Sequence, residues 1–338
     1  MESEPDVLRN LQALPRLRLA CLPTPLLEAP RLAQAAGGPR LWIKRDDMTG
    51  FGFGGNKMRG LEFLLADALA RRADTLVTGA GPQSNYVRAA AAAAARAGLA
   101  MVAVYSGSPP ERVEGNYRLT RLTGAEIRFT GDADRASVDD AIEAVAAELC
   151  AAGRRPYPIP RGGACVLGTL GYVLAVQELA GQCATQRITP QRIVLATGSC
   201  GTQAGLLAGI QALRLPWCVE GFTVSRPAEE VRRRILLLAQ EALARIGESQ
   251  TIPEQAVIVH DGFIGPGYGI PTAEGAQAIR LAANCEGIFL DPTYTGKAMA
   301  GYLAYCRSGH FRQDETIIFL HTGGEPALFV GEGNWCYE

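Results

Sequence analysis

The sequence predicts an α/β fold with parallel sheets and helices on both faces. Three observations carry that expectation. Short apolar runs are continuous and lack the polar alternation of half-exposed strands; longer stretches of helical period separate them; and glycine concentrates at the strand-to-helix junctions. The strand runs are residues 75–78, 101–105, 126–129, 193–197, 219–224, 256–260 and 316–320. Between them, residues 61–73 place Leu61, Leu64, Leu65, Ala68 and Leu69 on one helical face. Residues 137–152, 169–180, 227–246 and 272–283 keep the same period, and Pro227 opens its helix where a missing N–H is tolerated. The alanine run 89–95, flanked by Arg88 and Arg96, predicts a helix with a small-residue face that can sit close on a sheet.

Composition bounds the function. At 338 residues the chain is long enough for two domains, and 48% apolar against 20% charged residues excludes a disordered chain. Lys+Arg of 33 against Asp+Glu of 34 leaves a net charge of -1, with no overall field to attract nucleic acid or an anionic membrane. Residues 1–10 carry three acidic side chains and no apolar core, so no secretory signal is expected. The uncharged run 193–213 reaches membrane-spanning length, but its centre is Thr197-Gly198-Ser199-Cys200-Gly201-Thr202-Gln203, which reads as strand, loop and helix. Nine scattered cysteines, never in a Cys-x-x-Cys pair, are expected as reduced thiols of a cytoplasmic protein. His260, His310 and His321 have no ligand-like spacing, so no metal site is expected. Arg45, Asp46 and Asp47 read as a structural ion pair beside a strand, Arg232 to Arg234 as a solvated helix face, and His321 as a packed strand-end residue.

The chemical signal lies in three glycine clusters: Gly50-Phe51-Gly52-Phe53-Gly54-Gly55-Asn56-Lys57, Thr197-Gly198-Ser199-Cys200-Gly201-Thr202 and His321-Thr322-Gly323-Gly324. In the second, glycines let several backbone N–H groups face one concavity, and the following helix adds its positive end. This suits a phosphate, although an ordinary βα turn has the same composition. It is neither a Walker loop nor a Gly-x-Gly-x-x-Gly dinucleotide turn. Lys57 and Gln83-Ser84-Asn85 stand at further polar turns facing the ends of parallel strands, where ligands of such folds bind.

Together these segments resemble the 1-aminocyclopropane-1-carboxylate deaminase / D-cysteine desulfhydrase family of pyridoxal-phosphate enzymes. The resemblance runs in order from about residue 20 to 330. It rests on Leu22-Pro23-Thr24-Pro25-Leu26, Ile43-Lys44-Arg45-Asp46-Asp47, Gly54-Gly55-Asn56-Lys57, Gln83-Ser84-Asn85, Thr197 to Gly205, Gly265-Pro266-Gly267-Tyr268-Gly269, Tyr294-Thr295-Gly296-Lys297 and His321-Thr322-Gly323-Gly324. It implies the fold-type II architecture of two three-layer α/β/α domains with mainly parallel sheets. Residues 1–57 and 168–338 would form the large cofactor domain, and 58–167 a small mobile domain. By the same resemblance, Lys57 holds the cofactor as a Schiff base and acts as the base at Cα, Asn85 bonds the ring hydroxyl, and Gly198, Ser199, Cys200, Gly201 and Thr202 cradle the phosphate. Gln83 and Ser84 meet the substrate carboxylate or lie beside Cα, Tyr268 and Tyr294 line the substrate side, and Thr295 and Thr322 lie near the pyridine nitrogen.

The implied chemistry is β-elimination from a small D-cysteine-like or cysteate-like amino acid, giving pyruvate, ammonia and sulfide or sulfite. Tyr294-Thr295-Gly296-Lys297 favours this branch, because the cyclopropane-opening deaminases carry glutamate where Thr295 stands. Deamination of the cyclopropane is the alternative, as is an unusual β-substituted substrate from a specialised pathway. Three departures bear on the substrate and cofactor: Gly60 stands where relatives carry a lysine, Tyr86 where desulfhydrases tend to carry histidine, and Cys200 where a small residue is common. Partners are then a small amino acid and, as in most relatives, a second copy of the chain; neither nucleic acid nor membrane is expected. A cofactor carrier without catalysis and a nucleotide-binding protein are the rivals from other classes, and the second lacks the dinucleotide fingerprint.

Overall fold

The computed structural model describes residues 6–331; residues 1–5 of the acidic start and 332–338, with one of the nine cysteines, lie outside the described residues. The elements in order are α1 (Asp6–Gln12), β1 (Leu26–Glu28), α2 (Pro30–Ala36), β2 (Arg40–Arg45), α3 (Lys57–Ala70), β3 (Thr75–Ala80), α4 (Asn85–Ala97), β4 (Ala100–Tyr105), α5 (Gly115–Leu122), β5 (Glu126–Phe129) and α6 (Ser137–Ala151). There follow β6 (Pro156–Pro158), α7 (Val166–Gln186), β7 (Arg192–Thr197), α8 (Gly201–Ala212), β8 (Cys218–Thr223), α9 (Ala228–Arg245), β9 (Ile258–His260), α10 (Ala273–Glu286), α11 (Thr295–Arg307) and β10 (Thr316–His321).

Two sheets result. The larger has the order β1-β2-β10-β7-β8-β9, antiparallel only between β1 and β2; the smaller, β5-β4-β3-β6, is all parallel. Alternate side chains of each strand enter opposite cores. Ile193, Leu195 and Leu320 pack under α7, α8 and α9, while Val194 and Phe319 pack under α2, α10 and α11. In the smaller sheet Leu76, Met101 and Ala103 meet α3, α4 and α5, and Val77, Val102 and Val104 meet α6. Each sheet is thus covered on both faces, which is why its strands read as unbroken apolar runs.

All seven expected strands form, although the run at 256–260 yields only β9, its start being a 3-10 turn over Glu254–Ala256. The eight described cysteines are free thiols, and no helix among the described residues is long and apolar enough to cross a membrane.

The two layers meet where α3 crosses α7. A Cβ built on Gly60 would stand 2.5 Å from the Gly168 carbonyl oxygen, and one on Gly171 would strike the backbone of Arg59. Helix packing therefore leaves no room for a lysine at position 60. Gly60→Ala is expected to lower unfolding stability by about 1–3 kcal/mol through this overpacking; a denaturant midpoint equal to that of the parent would refute the contact.

Candidate active site

The first glycine cluster builds the lysine's seat. Gly54 (φ 61°) lies where a Cβ would meet the Asp47 carbonyl, so the chain turns tightly there and starts α3 at Lys57. Arg88 donates to the carbonyls of Gly52 and Gly54, and Asn56 N–H donates to the Thr322 carbonyl, fixing this loop against the third cluster. Lys57 Nζ then reaches Ser199 Oγ at 3.2 Å. Burial pushes its ammonium down to about 8, so a minor but substantial fraction is free amine near neutrality.

Facing it, the second cluster turns from β7 into α8 with Cys200 in the left-handed region (φ 78°) at the helix cap. Burial raises the Cys200 thiol to about 11, although Arg234 and Arg226 pull it down, so the group stays protonated. Asn56 Nδ2 donates to Thr202 Oγ1 at 2.8 Å, joining the starts of α3 and α8, both positive helix ends. From the smaller sheet, Ser84 caps α4, and Asn116 donates to Asn85 Oδ1 at 2.8 Å, leaving the Asn85 amide N–H groups to point elsewhere. Opposite, the hydroxyls of Tyr268 and Tyr294 bond each other.

One cavity gathers Lys57, Ser84, Asn85, Gly198, Ser199, Cys200, Thr202, Tyr268, Tyr294 and Thr322. Gly201 faces a small adjoining cavity beside Gly60. Two further expected residues do not line the main cavity. Gln83 turns away to the start of α5, donating to the Glu114 carbonyl and accepting from Asn116 N–H. Thr295 is fully buried, donates to Asp291 Oδ1 at 2.8 Å and accepts from Asp291 N–H, so its hydroxyl is engaged at the start of α11. Asp291 also accepts from the backbone N–H groups of Thr293, Tyr294 and Thr295.

The structure adds lining residues that the sequence did not suggest, Arg135, Arg161 and Arg226, and it also brings Asn56, Thr197 and Tyr86 of the motifs to the wall. Arg234 is a correction. It belongs to a run read as a solvated face, yet it lines the cavity, while Arg233 is exposed. Two of the histidines also meet despite their spacing. His260 and His310 both reach Glu220 Oε2, at 2.8 and 3.1 Å, with Arg192 on the other oxygen. His321 is packed as expected, accepting from Gly323 N–H and facing the Phe289 carbonyl.

Several polar atoms of the cavity wall are buried without partners, namely Thr197 Oγ1, Tyr86 OH and Arg135 Nε. Such orphans fit a polar group that enters from outside the chain. A reactive amine, a glycine turn at a helix start and these orphans suit an aldehyde-bearing phosphate ester. A family model described as pyridoxal-phosphate dependent enzyme matches residues 17–323. The chain belongs to this family. Within it, the D-cysteine desulfhydrase of Salmonella choleraesuis (strain SC-B67) is 42% identical over 329 residues, covering 96% of this chain and 98% of the relative. That of Salmonella typhi is 41% identical over the same length. The crystal structure of an ACC deaminase homologue superposes with a TM-score of 0.90 at 37% identity, covering 99% of both chains. A threonine deaminase at 20% identity and TM-score 0.64 shares the fold. Pyridoxal phosphate is the cofactor, and the fold-type II architecture is that of the family. The residues present fit it: the turn from Gly198 to Thr202 for the phosphate and Lys57 for the aldehyde.

The depressed lysine has a measurable consequence. Only the neutral amine attacks an aldehyde, and a group titrating near 8 is about 20% neutral at pH 7.4, against about 0.1% for an ordinary lysine. Cofactor capture by the apoprotein is expected to accelerate as pH rises and to level off just above 8. A stopped-flow absorbance profile that climbs unbroken to pH 10 would contradict the depressed value.

Proposed function

We propose that this protein catalyses β-elimination from a small β-substituted amino acid, with D-cysteine as substrate and pyruvate, ammonia and sulfide as products. The observation that carries it is the cavity wall, which brings Lys57, Ser84 and the Tyr268–Tyr294 pair together and includes no carboxylate. The named D-cysteine desulfhydrases, alike over nearly the whole chain, support the same reading. Bound pyridoxal phosphate supplies an electron sink for the Cα–H bond. Lys57, held as a weak base beside Ser199, takes the α proton at Nζ. Ser84 and the Asn85 amide, fixed by the α4 cap and Asn116, orient the substrate carboxylate and the cofactor ring hydroxyl. The bonded tyrosine pair faces the departing group. Cleavage of a strained ring without a leaving group calls for a stronger sink, and Thr295, turned into Asp291, does not supply one. The same reading makes the protein a cytoplasmic homodimer whose small unit, residues 58–167, closes over the substrate.

The test is the holoenzyme with D-cysteine, L-cysteine, L-cysteate and 1-aminocyclopropane-1-carboxylate, following 2-oxo acids and sulfide. Pyruvate with equimolar sulfide from D-cysteine is the expected result. Faster release of 2-oxobutyrate from the cyclopropane would replace elimination with deamination.

A further inference from the structure

Outside the cavity, at the β9 edge of the larger sheet, three chain segments bring one carboxylate and two imidazoles together. Pairing of β8 with β9 sets Glu220 beside Ile258, and His260 follows two residues on, so both side chains project from one face. Helix α11 packs on that face through Tyr305, whose ring meets those of His260 and His310 at 4.8 and 4.6 Å. The Nε2 atoms of His260 and His310 reach Glu220 Oε2 at 2.8 and 3.1 Å, and the three atoms lie within 4.8 Å of one another. Zinc bonds of about 2.0–2.1 Å in a tetrahedron put ligand atoms about 3.3 Å apart, so an ion needs these atoms to part by only a few tenths of an ångström.

The surroundings orient the ligands. The Tyr305 hydroxyl stands 3.0 Å from His260 Nδ1, where it can accept from Nδ1–H and leave the Nε2 lone pair turned inward; ligating imidazoles carry such an outer bond. Arg192 holds the other oxygen of Glu220 and pairs with Glu315 at 3.0 Å. Two carboxylates thus share one guanidinium and, with neutral imidazoles, one negative charge is left for a cation. Glu220 is fully buried while His310 is 40% exposed, which gives an ion a way in. A second group, Asp47, His321 and Glu325, lacks these features. Gly323 N–H and the Phe289 carbonyl occupy both ring nitrogens of His321, and the carboxylates face opposite nitrogens at 3.9 and 3.7 Å.

We infer that Glu220, His260 and His310 form a zinc site, with water in the fourth position. Two imidazoles and one carboxylate suit Zn2+, whereas Mg2+ and Ca2+ take oxygen ligands. None of the three residues lines the cavity, so the ion is structural: it fastens the three-residue edge strand β9 to β8 and to the turn after α11. Ninety residues separate Glu220 from His310, which is why sequence spacing hides the site.

Metal binding by the chelator-stripped holoenzyme tests this without reference to turnover. After dialysis against Zn2+ alone, one equivalent is expected per chain, with a thermal midpoint that rises with free Zn2+. Co2+ in its place is expected to give the visible bands of a four-coordinate nitrogen–oxygen site. Binding at the exposed Cys21, Cys150 or Cys218 would instead add thiolate charge-transfer absorption. His310→Ala is expected to lose at least about 100-fold in zinc affinity, and Tyr305→Phe, which keeps the ring and its packing, about ten-fold. A parent protein that retains no zinc, a thiolate spectrum, or undiminished affinity in both variants would each overturn the site.

Discussion

Lys57→Ala is expected to lose at least about a thousand-fold in turnover, because one substitution removes both the attachment point for the cofactor and the base at Cα. No other amine can take over. The chain has three lysines. Lys44 donates to the Thr24 carbonyl and pairs with Glu178, and Lys297 donates to the carbonyls of Ile264 and Gly267. Only Lys57 lines the cavity. Borohydride reduction of the holoenzyme, followed by peptide mass analysis, is therefore expected to mark the Lys57 peptide alone. A variant that keeps more than a few per cent of wild-type turnover, or a label on Lys44 or Lys297, would remove Lys57 from the chemistry.

The second large effect concerns stability. Arg59 reaches both oxygens of the fully buried Asp46, at 2.7 and 2.8 Å, and Glu178 at 2.9 Å; Tyr172 and Thr24 complete the Asp46 shell. Burial alone would raise the Asp46 carboxyl, but Arg59 brings it down to about 2. Arg59→Leu removes the main counter-charge of that carboxylate, leaving Lys44 nearby and the Tyr172 and Thr24 hydroxyls, and is expected to cost about 3 kcal/mol at pH 7. The pH dependence has a definite sign. In the parent, the folded value lies below the unfolded one of 3.8, so the stabilisation is complete above about pH 4 and is lost as pH falls toward 2. In the variant the carboxyl, without its guanidinium, titrates higher, so acid removes its penalty and the gap between the two proteins narrows by pH 3. Denaturant melts at pH 7 and pH 3 check both statements; a gap that is constant or grows in acid would show that the cost is packing and not charge.

Much of this was legible in the sequence where a local rule sufficed. The strands from β3 to β5 and from β7 to β10 announce themselves because both faces are covered, and α4 because alanine favours the helix that close packing needs. The expectation weakens where a residue's state depends on something far away. β2 hides its buried character behind Lys44 and Arg45, since the lysine's partner Glu178 lies on a helix much later in the chain. β6 pairs over three residues, two of them prolines. At the site, Lys57 and the turn at 198–202 stand out because glycines must be local to them. Arg135 and Arg234 did not, because a cation's surroundings leave no trace in its neighbours. The bond from the Thr295 hydroxyl to Asp291, four residues earlier, was hidden for a related reason: it is a helix-start contact that motif matching does not weigh.

The order of the larger sheet sets a timetable for synthesis. β10, near the end of the chain, lies between β2 and β7, pairing Ile318 with Trp42 on one side and with Ile193 on the other. Until it emerges from the ribosome, two early strands wait with open, apolar edges facing a gap, the kind of surface on which nascent chains cross-associate. The turn carrying Thr322 and Gly323 follows directly, so the cavity wall is also finished last. A chain cut short before residue 316 therefore loses the centre of its sheet and not an edge, and chaperone demand during translation should track the delay before that one strand arrives.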